Sequence, residues 1–169
     1  ILQSLGKLKE AELSYRKAIK LKPDLTEAHL NLGNILKDLG KLQEAELSYR
    51  KSIELKPDYA EAHYNLGNIL KDLGNLQEAK QSYLKSINLN PNFAMAHYNM
   101  GVLLTNLKNS EEAISYFNTA IKLNNEDKKF FKALGMAQLN IGKHKEGLNN
   151  LKKAEGFVNF NLKKGFSIN

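Results

Sequence analysis

Residues Thr26 to Tyr59 read TEAHLNLGNILKDLGKLQEAELSYRKSIELKPDY, and the next stretch, Ala60 to Phe93, reads AEAHYNLGNILKDLGNLQEAKQSYLKSINLNPNF; 24 of the 34 positions are identical. Self-similarity at a fixed period of this length marks a chain built from one supersecondary unit stacked on copies of itself. Outward from this pair the same register persists. Leu32-Gly33, Leu66-Gly67, Met100-Gly101 and Leu134-Gly135 fall at one position, Ala45, Ala79 and Ala113 at a second, and Tyr49, Tyr83 and Phe117 at a third. Pro57 and Pro91 close their units, and Pro23 closes an incomplete one.

Within one unit, Ala28, Leu32, Ile35, Leu36 and Leu39 recur at helical spacing, and after Gly40-Lys41 a second set follows with Ala45, Tyr49, Ser52, Ile53 and Leu55. Two amphipathic helices of three to four turns are predicted. Gly40 and Gly74 stand where the first helix must stop, because glycine accepts the left-handed conformation common just past a helix C-terminus. Pro57 and Pro91 end the second helix, since proline lacks a donor and crowds the preceding turn. Asp58 and Asn92 favour the turn that follows. Each unit is therefore an antiparallel helical hairpin.

A hairpin of this size cannot bury both faces alone, so it must stack on a neighbour. Gly33, Gly67, Gly101 and Gly135 lie inside first helices, where glycine costs about 1 kcal/mol relative to alanine; close packing by another helix accounts for that cost. Ala45, Ala79 and Ala113 supply a shallow matching surface, and Tyr49, Tyr83 and Phe117 are expected to fill the space between units.

Composition sets the outer limits. The chain has 169 residues, 42% hydrophobic and 25% charged, which places it among globular rather than disordered sequences. With no cysteine there is no disulfide framework, thiolate metal site or cysteine nucleophile. No apolar run approaches the roughly 20 residues of a membrane helix, so no membrane partner is expected, and a cytoplasmic location is. The net charge is +7, concentrated in the last quarter: from Lys122 onward 10 lysines face 4 acids, against 15 basic and 14 acidic residues before it. Only Arg16 and Arg50 are arginines, a poor endowment for phosphate and base recognition, so nucleic acid is not the expected partner. Ile1 opens inside a repeat, and the sequence is expected to be a piece of something larger.

At this point the residues amount to a signature. Asn31-Leu32-Gly33, Gly40, Ala45, Tyr49 and Pro57, repeated as Asn65-Leu66-Gly67, Gly74, Ala79, Tyr83 and Pro91, resemble the tetratricopeptide repeat. The resemblance runs from a truncated unit at 1–25, through units at 26–59, 60–93 and 94–127, to a degenerate one at 128–161, so that residues 1–161 form one array and 162–169 a tail. It implies an all-α fold, a right-handed α-solenoid of stacked antiparallel helix pairs. His29, His63 and His97 stand where the family often has tryptophan. In the last register Gly147 replaces the small alanine, Leu151 the aromatic and Asn159 the proline, as terminal units of solenoids often depart from the pattern. Around the tail, Gly156 to Leu162 alternates apolar with polar, Lys163-Lys164-Gly165 reads as a turn and Phe166-Ser167-Ile168 is apolar again; a short hairpin and a loosely docked end both fit, and a hairpin could open a further domain.

No sequence motif for catalysis is present: no phosphate loop followed by lysine, no nucleophile elbow, no paired histidines flanking a glutamate. His29, His63 and His97 are one repeat apart each, and helices packed about 8–10 Å apart cannot bring three of them to one metal; a packing role at each junction is expected, with no metal and no cofactor. Glu44, Glu46, Glu61 and Glu78 read as solvated helix charges. In arrays resembling this family the first helices line a concave groove, which puts Asn31, Asn65 and Asn99, with Asn34 and Asn68, along its floor. Carboxamides both donate and accept, so such a ladder can clasp the main chain of an extended peptide, with Leu30, Tyr64, Tyr98, Lys37, Lys71 and Glu27 adding local preference. Repeat arms of the glycosyltransferases that attach N-acetylglucosamine to Ser or Thr are similar in this respect. Chaperone adaptors of the family grip a terminal carboxylate instead; Asn68, Asn99 and Lys129 match three of those places, but Tyr64 and Ala133 stand where cations are needed, with Lys132 one residue away.

The expected function is a non-enzymatic interaction module whose concave groove holds a peptide or partner protein. The alternative is the targeting arm of a larger enzyme, such as a glycosyltransferase, sulfotransferase or oxygenase. Self-association is a further expectation, because Ile1, Leu2, Leu5, Leu8 and Leu13 lack a preceding unit to cover them.

Overall fold

A computed structural model gives the backbone of residues 2–155, 158–161 and 165–168 and the side chains of 5–154. The chain divides into two compact units, Ile1–Pro91 and Asn92–Asn169. The first holds α1 (Leu2–Leu21), α2 (Thr26–Asp38), α3 (Leu42–Leu55), α4 (Ala60–Asp72) and α5 (Leu76–Leu89). The pairs α2/α3 and α4/α5 are hairpins; α1 packs on α2, α3 on α4, and α2 touches α4. The second unit holds α6 (Ala94–Asn106), α7 (Ser110–Leu123), α8 (Lys128–Asn140) and α9 (His144–Glu155), with hairpins α6/α7 and α8/α9 and further contacts of α7 and α6 with α8. Each unit is thus a stack of helix pairs, and the architecture is an all-α solenoid.

The helix stops follow from local chemistry. Gly40, Gly74 and Gly142 take φ of 74°, 84° and 78°, and at the first of these Gly40 N–H donates to the Lys37 carbonyl and Lys41 N–H to the Leu36 carbonyl. The third register makes the same turn without glycine: Lys108 sits at φ 62°, with its own N–H bonded to the Thr105 carbonyl. A side chain in the left-handed region costs about 1–2 kcal/mol. Part of this is returned to the more flexible unfolded chain on substitution by glycine. Lys108→Gly is therefore expected to raise stability by about 0.5–1 kcal/mol, read as a higher thermal midpoint; a lower midpoint would contradict the turn assignment.

The aromatic of each second helix is the centre of the core. Tyr49, Tyr83 and Phe117 are fully buried, and they stand over the glycine of their own hairpin rather than between units as expected from sequence. A Cβ placed on Gly33 would lie 2.5 Å from Tyr49 Cε1, one on Gly67 2.7 Å from Tyr83 Cδ1, and one on Gly101 2.6 Å from Phe117 Cε1. The ring lies flat in a notch that exists only because the first helix has no side chain there. In the last hairpin Leu151 replaces the ring, and the two helices close further, so that a Cβ on Gly135 would meet the Gly147 carbonyl at 2.8 Å. Gly147 in place of alanine and Leu151 in place of an aromatic are thus two halves of one adjustment.

After α9 the chain forms β1 (Val158–Asn161) and β2 (Gly165–Ile168), paired antiparallel with Val158 opposite Ile168 and Phe160 opposite Phe166. The linker residues 162–164 of the sequence reading, with Gly156 and Phe157, lie outside the described residues. At the other end, Leu5 and Leu13 of α1 are exposed; the side chains of Ile1 and Leu2 lie outside those described. No helix among the described residues is long and apolar enough to cross a membrane.

Candidate functional site

A helix turns about 100° per residue, so in α2 the residues Glu27, Asn31, Asn34 and Asp38 share one face, with His29, Leu32 and Leu36 opposite. Burial follows this division: Leu32 and Leu36 are in the core while Asn31 and Asn34 are half-buried. In α4, Asn65 and Asn68 take the corresponding face, Asn65 being 9% exposed. Leu30 is 3% exposed and belongs to the core rather than to a binding surface.

The asparagines of the first unit are held by specific bonds. Tyr49 Oη donates to Asn34 Oδ1 at 2.8 Å, and Asn65 Nδ2 donates to the same oxygen at 3.1 Å. Tyr83 Oη makes the equivalent bond to Asn68 Oδ1 at 2.8 Å. The carbonyl of Asn34 is consequently spent inside the protein. Its Nδ2 and the Oδ1 of Asn65 make no bond among the described residues and are not sealed from solvent. Asn31 makes no side-chain bond among the described residues. The first unit therefore presents, in chain order, a whole carboxamide, a donor and an acceptor, the latter two oriented by internal bonds.

Around them, Tyr64 is half-buried with its ring 6.2 Å from that of Tyr83. Lys37 and Lys71 each lie near the following aspartate, Nζ to Oδ1 being 3.8 Å for Lys37–Asp38 and 3.4 Å for Lys71–Asp72. In the second unit Asn99 is half-buried on α6. Tyr98 is wedged between Phe117, at 5.9 Å, and Phe130, at 5.0 Å. Lys129 is engaged with Asp127 at 2.9 Å and lies over the rings of Tyr98 and Phe130. A carboxylate grip through Lys129 would have to displace that aspartate.

The histidines fasten turns. His29 Nε2 donates to the Pro23 carbonyl and His63 Nε2 to the Pro57 carbonyl, both at 2.9 Å, tying each first helix to the loop that enters it. Among the described residues no three His, Asp or Glu side chains gather where they could hold a metal. Both arginines are occupied as well. Arg16 pairs with Glu12 and with Glu44, and Arg50 with Glu46 and Glu78, so each links one second helix to the next. Glu44 and Glu78 thus pair across repeats and Glu46 within α3, while Glu44 and Glu78 stay about half exposed as solvated helix charges. Lys41, just before α3, joins Glu12 at 2.9 Å, and this bond, followed by Arg16, holds the Glu12 carboxyl below its ordinary range despite partial burial.

Family models for the tetratricopeptide repeat match residues 1–40, 33–74, 60–93 and 94–127. The chain belongs to the tetratricopeptide repeat family. Among solved structures, this tetratricopeptide protein is similar to MamA, with 27% identity, 90% of this chain and 89% of that chain covered, and a TM-score of 0.83. It is also similar to YrrB, described as a TPR protein with an unusual peptide-binding site, with 26% identity, 84% and 73% covered, and a TM-score of 0.76. PilF of Pseudomonas aeruginosa, at 21% identity with 96% and 73% covered and a TM-score of 0.82, shares the fold. A search of curated protein sequences returns no match. Tetratricopeptide arrays are typically protein-interaction modules without catalysis of their own.

One signal in the sequence would have exposed the tyrosine–asparagine bond. Tyr49 and Tyr83 accompany Asn34 and Asn68, whereas Phe117 accompanies Val102 and Leu151 accompanies Met136. Hydroxyl and carboxamide are kept or lost together, as expected when removing both partners is nearly neutral and removing one strands the other. The bond also has a pH signature. Burial, reinforced for Tyr49 by Asp38 and Glu61 and for Tyr83 by Tyr64 and Asp72, raises both phenols above their ordinary value. A group whose folded pKa is raised contributes stability that is complete below the unfolded pKa, here about 10, and is lost as pH rises towards the folded value. Stability against urea is expected to fall above pH ~10, with a slope approaching about 1.4 kcal/mol per pH unit for each tyrosine. The Tyr49→Phe, Tyr83→Phe double variant should show a shallower slope, since burial also raises the phenols of Tyr59 and Tyr116, which it keeps; an identical alkaline profile would contradict the burial of the two hydroxyls.

Proposed function

We propose that this chain is a non-catalytic interaction module of the cytoplasm that holds an extended peptide segment along the first-helix face of its first unit. The observation that supports the reading is the oriented carboxamide series. Asn31 offers both donor and acceptor, Asn34 a donor, and Asn65 an acceptor, each about one or two helical turns or one repeat from the next. An extended main chain alternates N–H and C=O groups, so it can satisfy such a series whatever its side chains. Tyr64 adds a flat apolar surface, and Lys37 and Lys71 favour acidic side chains beside it. Asn68 belongs to the same face, and Tyr98 and Asn99 offer the equivalent positions in the second unit. YrrB, similar in fold and sequence, is itself described as having a peptide-binding site.

Asn31 is the informative residue, because its carboxamide makes no bond among the described residues, so its replacement breaks no hydrogen bond there. Peptides selected from a random displayed library on the purified chain should bind Asn31→Ala about tenfold more weakly, the loss of one or two hydrogen bonds to a desolvated main chain. Equal affinity for the two proteins, at equal helical content, would reject this face as the site.

A further inference from the structure

Opposite the asparagine face, the first unit carries two troughs one repeat apart. The first, about 400 Å³, lies between α1 and α3 over α2, with Ile19, Leu32 and Leu47 for its apolar lining and Arg16, Lys20 and Lys51 around it. The second, about 450 Å³, lies between α3 and α5 over α4 and repeats the floor with Ile53 and Leu66. Their walls differ at corresponding positions: Glu54 stands where the first has Lys20, and Gln81 where it has Leu47. Glu78 also lines the second trough, whereas no carboxylate lines the first.

We infer that the first trough is a second peptide-binding site, which takes a leucine-type side chain flanked by carboxylates. Leu47 is 67% exposed, yet it is not an isolated surface leucine, since it continues the apolar floor of Ile19 and Leu32 to the lip. Arg16 is committed to Glu12 and Glu44 and serves as a wall. The charges that select the ligand are Lys20, in the last turn of α1, and Lys51. The latter's pairing with Glu54, itself 68% exposed along its side chain, is open to exchange with an incoming carboxylate. An apolar side chain entering the floor places its flanking residues over these two ammonium groups, and an acidic flank is complementary where a basic one is repelled. The neighbouring trough keeps Lys85 at the position of Lys51 but has Glu54 and Glu78 on its walls and Gln81 in place of the leucine, so it is the weaker match and acts as a control within the same molecule.

The test uses a fluorescein-labelled peptide, Asp-Asp-Leu-Glu-Asp, titrated with the full chain at low salt and followed by anisotropy. Saturable binding that the Asn31→Ala variant retains is expected, at one peptide per chain in that variant, where the asparagine face is weakened, and the trough should not take a counterpart carrying lysines in place of the acids. The Lys20→Glu, Leu47→Gln double variant copies the second trough into the first and should bind about tenfold more weakly or worse. The reverse double variant, Glu54→Lys with Gln81→Leu, made in the Asn31→Ala chain, should raise the stoichiometry to two. All four positions are on helix surfaces, and unchanged helical circular dichroism confirms folding. Absence of saturable binding, equal binding by the Lys20→Glu, Leu47→Gln variant, or loss of binding in Asn31→Ala, which would place the peptide on the opposite face, each overturns the assignment.

Discussion

Tyr49→Ala is expected to destabilise the chain by about 3–5 kcal/mol, in the range of large-to-small aromatic truncations. The ring is fully buried and occupies a notch whose floor is Gly33. A leucine or valine floor could relax into the vacated space, but glycine has no side chain to move, so most of the cavity persists. The substitution also removes the hydroxyl that donates to Asn34 Oδ1, leaving Asn65 Nδ2 as that oxygen's protein donor. Urea denaturation followed by circular dichroism measures the effect. Tyr49→Phe, which keeps the ring and loses only the hydrogen bond, should cost about 1 kcal/mol. A loss below about 1 kcal/mol for the alanine variant would show that the ring is not the core element described.

The second large effect has opposite signs at two glycines. In helix interiors glycine is worse than alanine by about 1 kcal/mol, so a bare propensity argument predicts that any Gly→Ala change here stabilises. Gly6, inside α1, has no atom within 4 Å of an added Cβ, and Gly6→Ala should raise stability by up to about 1 kcal/mol. At Gly67 the added Cβ would lie 2.7 Å from the ring of Tyr83, which is fully buried and anchored through Oη to Asn68. The ring cannot withdraw without breaking that bond. Gly67→Ala should therefore destabilise by about 1–3 kcal/mol, overpacking outweighing propensity. Thermal midpoints moving in the same direction for both variants would contradict the interlock.

Why some of this was legible in the sequence and some not follows from the range of each interaction. Helix ends set by Gly40, Gly74, Pro57 and Pro91 are decided within a few residues, and they appear where the spacing placed them. The Gly33 and Tyr49 positions were recognisable as tightly packed, but their pairing within one hairpin depends on the direction in which a side chain leaves its helix, which periodicity alone does not specify. Lys108 in the left-handed turn shows the limit of residue preference: once both neighbouring helices are fixed, the turn keeps its form and the lysine bears the strain. The bonds of Arg16 and Arg50 to Glu44 and Glu78 span 28 residues, so the pairing of these surface charges emerges only when the second helices are laid side by side. For the asparagines, the sequence identified a shared face, while the internal use of Asn34 Oδ1 and Asn65 Nδ2 required the positions of their neighbours. Those bonds change the reading of the ladder. Among the described residues they leave the carboxamide of Asn31 without an internal bond, and they make substitutions at Asn34 or Asn65 poor probes of binding, since each also breaks an internal hydrogen bond.

The most direct measurement is a titration of the 15N-labelled chain with a library-selected peptide, following the side-chain amide resonances of Asn31 and Asn34. Both are expected to move saturably with one dissociation constant, while the Asn65 amide, already bonded to Asn34, moves little. Peptide binding that leaves the Asn31 and Asn34 amides unshifted would contradict a ligand held on the asparagine face.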